Sequence, residues 1–166
     1  KDIYTVGTIG DVLQVLSLPD GAVHAVVRTT HAVKLDDIQV TDGVFSANVT
    51  PIEMQLDENA DQVIVLRDLV LENMQNLANM SRRFKMDKLR NVANNYPLAA
   101  FVDAVVQTAD VDTDTALKVL CATSWVEKLT VLLEAVKLMD KNKKIEESIN
   151  KRIHQQMENG RRDAIL

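Results

Sequence analysis

The chain is poor in the residues from which most chemistry is built. Its 166 residues include a single cysteine, three histidines and five glycines. One cysteine excludes an internal disulfide, so no covalent staple holds this fold, and a reducing compartment is compatible with it. Cys121 stands in Leu117-Lys118-Val119-Leu120-Cys121-Ala122 and reads as a small buried residue. His24, His31 and His154 are scattered, with no Cys, Asp or Glu at metal-ligand spacing beside them, so no metal site is expected. Gly7 and Gly10 are not followed by the Gly-Lys-Ser/Thr that a phosphate-cradling loop requires, and no Gly-x-Ser-x-Gly elbow occurs. The carboxylates Asp36-Asp37 and Asp110-Val111-Asp112-Thr113-Asp114 sit at turn and cap positions rather than as a catalytic pair. No uncharged apolar run reaches the roughly 18 residues of a membrane span, and no secretory leader is visible. Internal repeats and low-complexity tracts are absent. These absences together predict a chain that is not itself an enzyme and carries no cofactor.

What is present is the composition of a folded soluble protein, 46% apolar and 26% charged, enough for one ordinary core or two small subdomains. The net charge of −5 is unevenly placed. From residue 137 onward eight Lys/Arg face five Asp/Glu, a balance of +3, which leaves −8 on residues 1–136. An acidic body argues against nucleic acid as the main partner. The basic residues near the end are mixed with Glu146, Glu147 and Glu158, the pattern of a solvated face rather than a phosphate-binding stripe.

Residues 1–54 read as strands. Ile3–Thr8 and Val12–Leu18 are short apolar runs, and Pro19-Asp20-Gly21 supplies a turn. Ala22–Leu35 alternates, and Ile38–Val40 and Val44–Val49 flank a second turn at Thr41-Asp42-Gly43. Pro51 suits a strand end or a sheet edge. These segments predict an antiparallel meander. From about Glu58 the period changes. Val63, Leu66, Val70, Met74, Leu77 and Met80 recur every three or four residues, predicting a helix over 59–82 closed by Ser81-Arg82-Arg83. Met86–Val92, Pro97–Gln107 and Thr115–Ala122 are expected to follow as helices, the second opened by Pro97 and the third capped from Asp112-Thr113-Asp114.

The last stretch is a rod. Ser124-Trp125-Val126-Glu127 has the form of a capping box, and no Pro or Gly interrupts the chain until Gly160. Leu129, Leu132, Leu133, Val136 and Met139 make a broad apolar face suited to docking on a core. After the polar stretch Asp140–Lys144 only Ile145, Ile149, Ile153 and Met157 remain apolar, four residues apart. This describes a helix anchored at its start and projecting at its end. The narrow stripe is either a solvated face or a contact with another chain or domain. The fold class is α+β: a β-rich subdomain over 1–56, a helical bundle over 57–123, and a long helix over 124–166. The chain opens at Lys1 without Met and is expected to be a piece of something longer.

Two stretches resemble the N-terminal domain of Lon-type ATP-dependent proteases. One is Ile3-Tyr4-Thr5-Val6-Gly7-Thr8, continued by Leu13-Gln14 and Leu18-Pro19-Asp20-Gly21. The other is Lys151-Arg152-Ile153-His154-Gln155-Gln156-Met157-Glu158, near the end of the rod. The helical middle is similar in pattern and length. The resemblance implies a PUA-like β-subdomain, a helical bundle, and a helix leading toward an ATPase module. It implies recognition of unfolded or tagged proteins, contact with neighbouring subunits, no membrane, and a bacterial cytoplasmic location, with the mitochondrial matrix as the alternative. ATP, Mg²⁺ and Ser–Lys proteolysis belong to later parts of such proteins, so no catalytic residue is carried over. The alternative is a free-standing protein-binding module of the same fold. The sequence departs from the family pattern at Thr29 and Ala32, where a Gly and an Arg are usual, and at Ala164-Ile165 before Leu166, where aromatic rings are frequent. The family's domain begins with strands that precede Ile3, so the sheet here is expected to be incomplete and to leave an edge unpaired. The stripe Ile145, Ile149, Ile153 and Met157 is the candidate contact between subunits.

Overall fold

A computed structural model describes residues 3–55, 57–81 and 85–165. The chain divides into two units, Lys1–Leu56 with Leu120–Ser124, and Asp57–Val119 with Trp125–Leu166. The architecture is α+β, with a three-stranded antiparallel sheet first and helices after it.

In the first unit, β1 (Val6–Ser17), β2 (Val23–Thr41) and β3 (Val44–Pro51) form a meander with β2 in the middle. Both expected turns are where the sequence places them. The Gly21 N–H donates to Leu18 O at 3.0 Å, with Pro19 setting the bend and Gly21 at φ 84°. Asp42 and Gly43 have φ of 51° and 78°, the two positive values a type I′ hairpin needs.

The strands are fewer and longer than the sequence suggests. Ile9 and Val12 fall within one strand, and Leu35 and Ile38 within another. Bulges replace the expected breaks. Asp36-Asp37 is not a turn but lies inside β2. There Asp36 pairs with Asn48 and Gln39 with Ser46, so two residues of β2 oppose one of β3. Asp37 takes φ 49°, and Asn48 Nδ2 donates to its Oδ2 at 3.1 Å. A second irregularity lies at Ile9/Gly10, where Thr30 of β2 has no opposite number and its hydroxyl donates to Ile9 O. A Cβ on Gly10 would stand 2.8 Å from both Arg28 O and Val27 Cγ1. We therefore expect Gly10→Ala to cost roughly 1–3 kcal/mol through overpacking. Urea unfolding followed by circular dichroism checks this against Gly7→Ala, whose Cβ would meet only Leu35 Cδ1 at 3.7 Å.

The second unit holds α1 (Asp61–Met80), α2 (Met86–Asn95), α3 (Leu98–Ala109), α4 (Thr113–Cys121) and α5 (Trp125–Ile165). Pro97 occupies the N-cap position of α3, and Asp110 closes that helix in the left-handed region at φ 51°. The Asp112 carboxylate accepts from the Thr115 N–H at 2.6 Å and starts α4. α1 ends at Met80; Arg82 and Arg83, expected to close it, lie outside the described residues, as does Leu166. Cys121 is exposed rather than buried. The buried residue of α4 is Val119, and two residues further on is about 200° round the helix.

The core of this unit is the seam between α1 and α5. Val63, Val70, Met74 and Leu77 of α1 are buried, as are Trp125, Leu129, Leu132, Leu133 and Val136 of α5. Phe101, Val102 and Val105 of α3 complete it. Asp140, which the sequence groups with the polar stretch, continues the docked face of α5 by one turn and is buried. Its Oδ2 accepts from Lys144 Nζ at 2.7 Å. α5 then runs on as a single helix of 41 residues, roughly 60 Å long, not folded back and not broken at Gly160. Every residue from Lys144 to Ile165 is exposed.

Candidate protein-binding site

Sheets are stable when at least one face is covered, and alternation along a strand then hides every second side chain. This sheet departs from that rule. Val15 and Leu16, Val26 and Val27, and Val44 and Phe45 are consecutive pairs in which both members are exposed. Consecutive side chains point to opposite faces, so apolar surface lies open on both sides of the sheet. Val44 at 67% and Phe45 at 61% exposure show how little covers it. Val33 is the one residue of the three strands that is buried.

The edges are open as well. β1 and β3 each pair with β2 alone among the described residues, so the sheet does not close on itself. One row of N–H and C=O groups on each outer strand is thereby left to solvent or to an added strand. Charge does little to protect these edges. The Arg28–Asp11 pair at 3.1 Å joins β1 to β2 rather than guarding the rim, and both side chains are exposed.

A second exposed element belongs to the helical unit. Ile145, Ile149, Ile153 and Met157, the candidate contact residues, all lie on the projecting part of α5 and are 47–65% exposed. Their strict spacing of four places them on one ridge of the helix, rotating slowly round it. The structure leaves this stripe bare.

Sequence reasoning missed a third feature, a trough between α4 and α5 in which Leu138 is 58% exposed. Its signal was present: Val131, Ala135 and Leu138 recur at i, i+4 and i+7, but the stronger stripe Leu129–Val136 drew the reading to the other side of the helix. At its rim, the hydrogen bond from the Thr115 N–H holds the Asp112 carboxyl below the usual carboxylate range. Among the described residues, no group of three or more His, Cys, Asp and Glu could hold a metal ion. Nor, among them, is any helix long and apolar enough to cross a membrane.

The family is decided by comparison of the whole chain with known ones. Residues 1–138 match the model of the ATP-dependent protease La (LON) substrate-binding domain. The chain belongs to the Lon substrate-binding domain family. It is 25% identical over 166 residues to the Lon protease of Haemophilus influenzae, covering 100% of this chain and 20% of that one. It is 26% identical over 137 residues to the Lon protease of Halothermothrix orenii, covering 82% of this chain and 18% of that one. The chain thus spans about a fifth of the length of these relatives. Among solved structures, the N-terminal domain of Mycobacterium avium complex Lon protease is similar in fold. Its TM-score is 0.61 at 21% identity, covering 82% of this chain and 73% of that one. The Lon-type meander, helical bundle and long helix are therefore the architecture of this chain.

Proposed function

We propose that the chain is the non-catalytic substrate-recognition module of a Lon-like ATP-dependent serine protease. It receives unfolded, damaged or tagged protein segments and helps neighbouring subunits assemble. What supports this reading is the match of residues 1–138 to a substrate-binding domain family, and the sheet offers it a surface: among the described residues, two outer strands paired on one side only, with apolar side chains exposed on both faces. An extended segment adding to β1 or β3 gains main-chain hydrogen bonds, which are indifferent to sequence, while its alternate side chains rest on apolar neighbours. A folded protein has paired most of those groups within its own helices and sheets and has few to offer. ATP and Mg²⁺ would act in parts of the parent protein beyond this domain, in the cytoplasm, with the bare stripe on α5 meeting another subunit.

The test is direct. A reduced, carboxymethylated polypeptide, unable to fold, should raise the fluorescence anisotropy of a labelled sample of this chain. The same polypeptide in its native, disulfide-bonded form should not. Equal response to the two forms, or none to either, contradicts the proposal.

A further inference from the structure

The trough between α4 and α5 has a chemistry of its own. It consists of two adjoining hollows of about 210 and 220 Å³ that share Thr115, Ala135 and Leu138. Each is smaller than the roughly 300 Å³ at which small-molecule sites begin, and each suits one side chain. The floor is apolar, built from Val111, Val131, Ala135 and Leu138. The charged residues that line it are Asp110, Asp112 and Glu134 against Lys118 alone. On α5 Val131, Ala135 and Leu138 stand two positions, about 200°, from Leu129, Leu133 and Val136 of the docked stripe, and Met139, also in the lining, flanks that stripe. α4 carries its own cap, and the Asp112 carboxylate that makes it cancels the pull of that helix end on an anion.

We infer that this trough receives an unfolded segment in which an apolar side chain is flanked by lysine or arginine. The inference rests on the recognition role proposed above and narrows it: the sheet edges accept an extended chain of any sequence, whereas the trough by itself prefers one kind of segment. The apolar residue fills the hollow over Leu138 while its cationic neighbours reach Asp110, Asp112 and Glu134. Exposed ion pairs are individually weak, so three of them together give a preference of roughly tenfold.

Two short labelled peptides, unstructured and identical except that leucines are flanked by lysines in one and by glutamates in the other, test this by anisotropy. The parent should bind the lysine peptide roughly tenfold more tightly, less so as salt is raised. The variant Glu134→Lys with Leu138→Ser, both exposed positions, should lose the preference while keeping the parent's far-ultraviolet circular dichroism spectrum and urea midpoint. Equal binding of the two peptides by the parent overturns the inference, as does a preference that survives in the variant. Self-association of the parent that this variant abolishes would assign the trough to a second copy and overturn it too. Failure of the carboxymethylated polypeptide to bind at all is a different result and strikes the recognition role itself.

Discussion

Leu132→Ala is expected to lower the stability of the helical unit by roughly 2–5 kcal/mol, the range for emptying a fully enclosed leucine site. Leu132 is 0% exposed and lies on the α5 face that docks on α1. The seam on the α1 side is built from Val70 and Met74, each also 0% exposed, so the space left by the leucine cannot be filled from solvent. Domains of this kind are stable by about 5–15 kcal/mol in all, so a single truncation removes a large share. Trp125, the only tryptophan and 6% exposed, reports the transition from within the same helix. Urea unfolding followed by its fluorescence should show a lower midpoint for Leu132→Ala with an unchanged slope. Leu138→Ala, six residues further along α5 but 58% exposed, should stay within about 0.5 kcal/mol of the parent. Equal losses at the two positions would mean that α5 is not held by the face described.

If the stripe is the contact between subunits proposed above, Ile149→Asp combined with Ile153→Asp should weaken self-association without touching the fold. The two isoleucines are 51% and 47% exposed and support nothing in the helical unit. A row spaced strictly by four forms a ridge inclined to the helix axis, and two such ridges interlock at a crossing near −50° rather than along a coiled coil. Burying the remaining half of two isoleucine side chains gives roughly 2–3 kcal/mol, so the double substitution should weaken association by about 100-fold. Sedimentation velocity over a concentration series reads this. The charge-matched pair Gln155→Asp and Asn159→Asp, on the opposite side of the rod, should leave association as it was. A parent that is monomeric throughout, or a double variant that associates equally, reduces the stripe to a solvated face.

The elements of this fold were legible where local chemistry acts alone. Pro19-Asp20-Gly21 and Asp42-Gly43 specify their turns through backbone angles that few other residues accept. The periodicity of Val63, Val70, Met74 and Leu77 specifies α1 and its buried side. Pro97 and Asp112 mark helix starts. The misreadings arise where pairing overrides local preference. Asp36-Asp37 carries a turn signal, yet the ladder on both sides of β2 absorbs it as a bulge. Cys121 and Asp140 each depended on which way a helix is rotated, a matter of one residue in phase. The trough at Leu138 depended on where α4 comes to rest, and nothing in the spacing of α5 alone encodes that.

Hydrogen exchange tests the central claim at the atoms it concerns. With the carboxymethylated polypeptide bound to saturation, amides of β1 (Val6–Ser17) or β3 (Val44–Pro51) that exchange freely in the unbound chain should become protected, while those of α1 and of α5 up to Asp140 keep their rates. A saturated complex in which neither outer strand gains protection would show that unfolded chains are received elsewhere, and the open sheet would lose the role assigned to it.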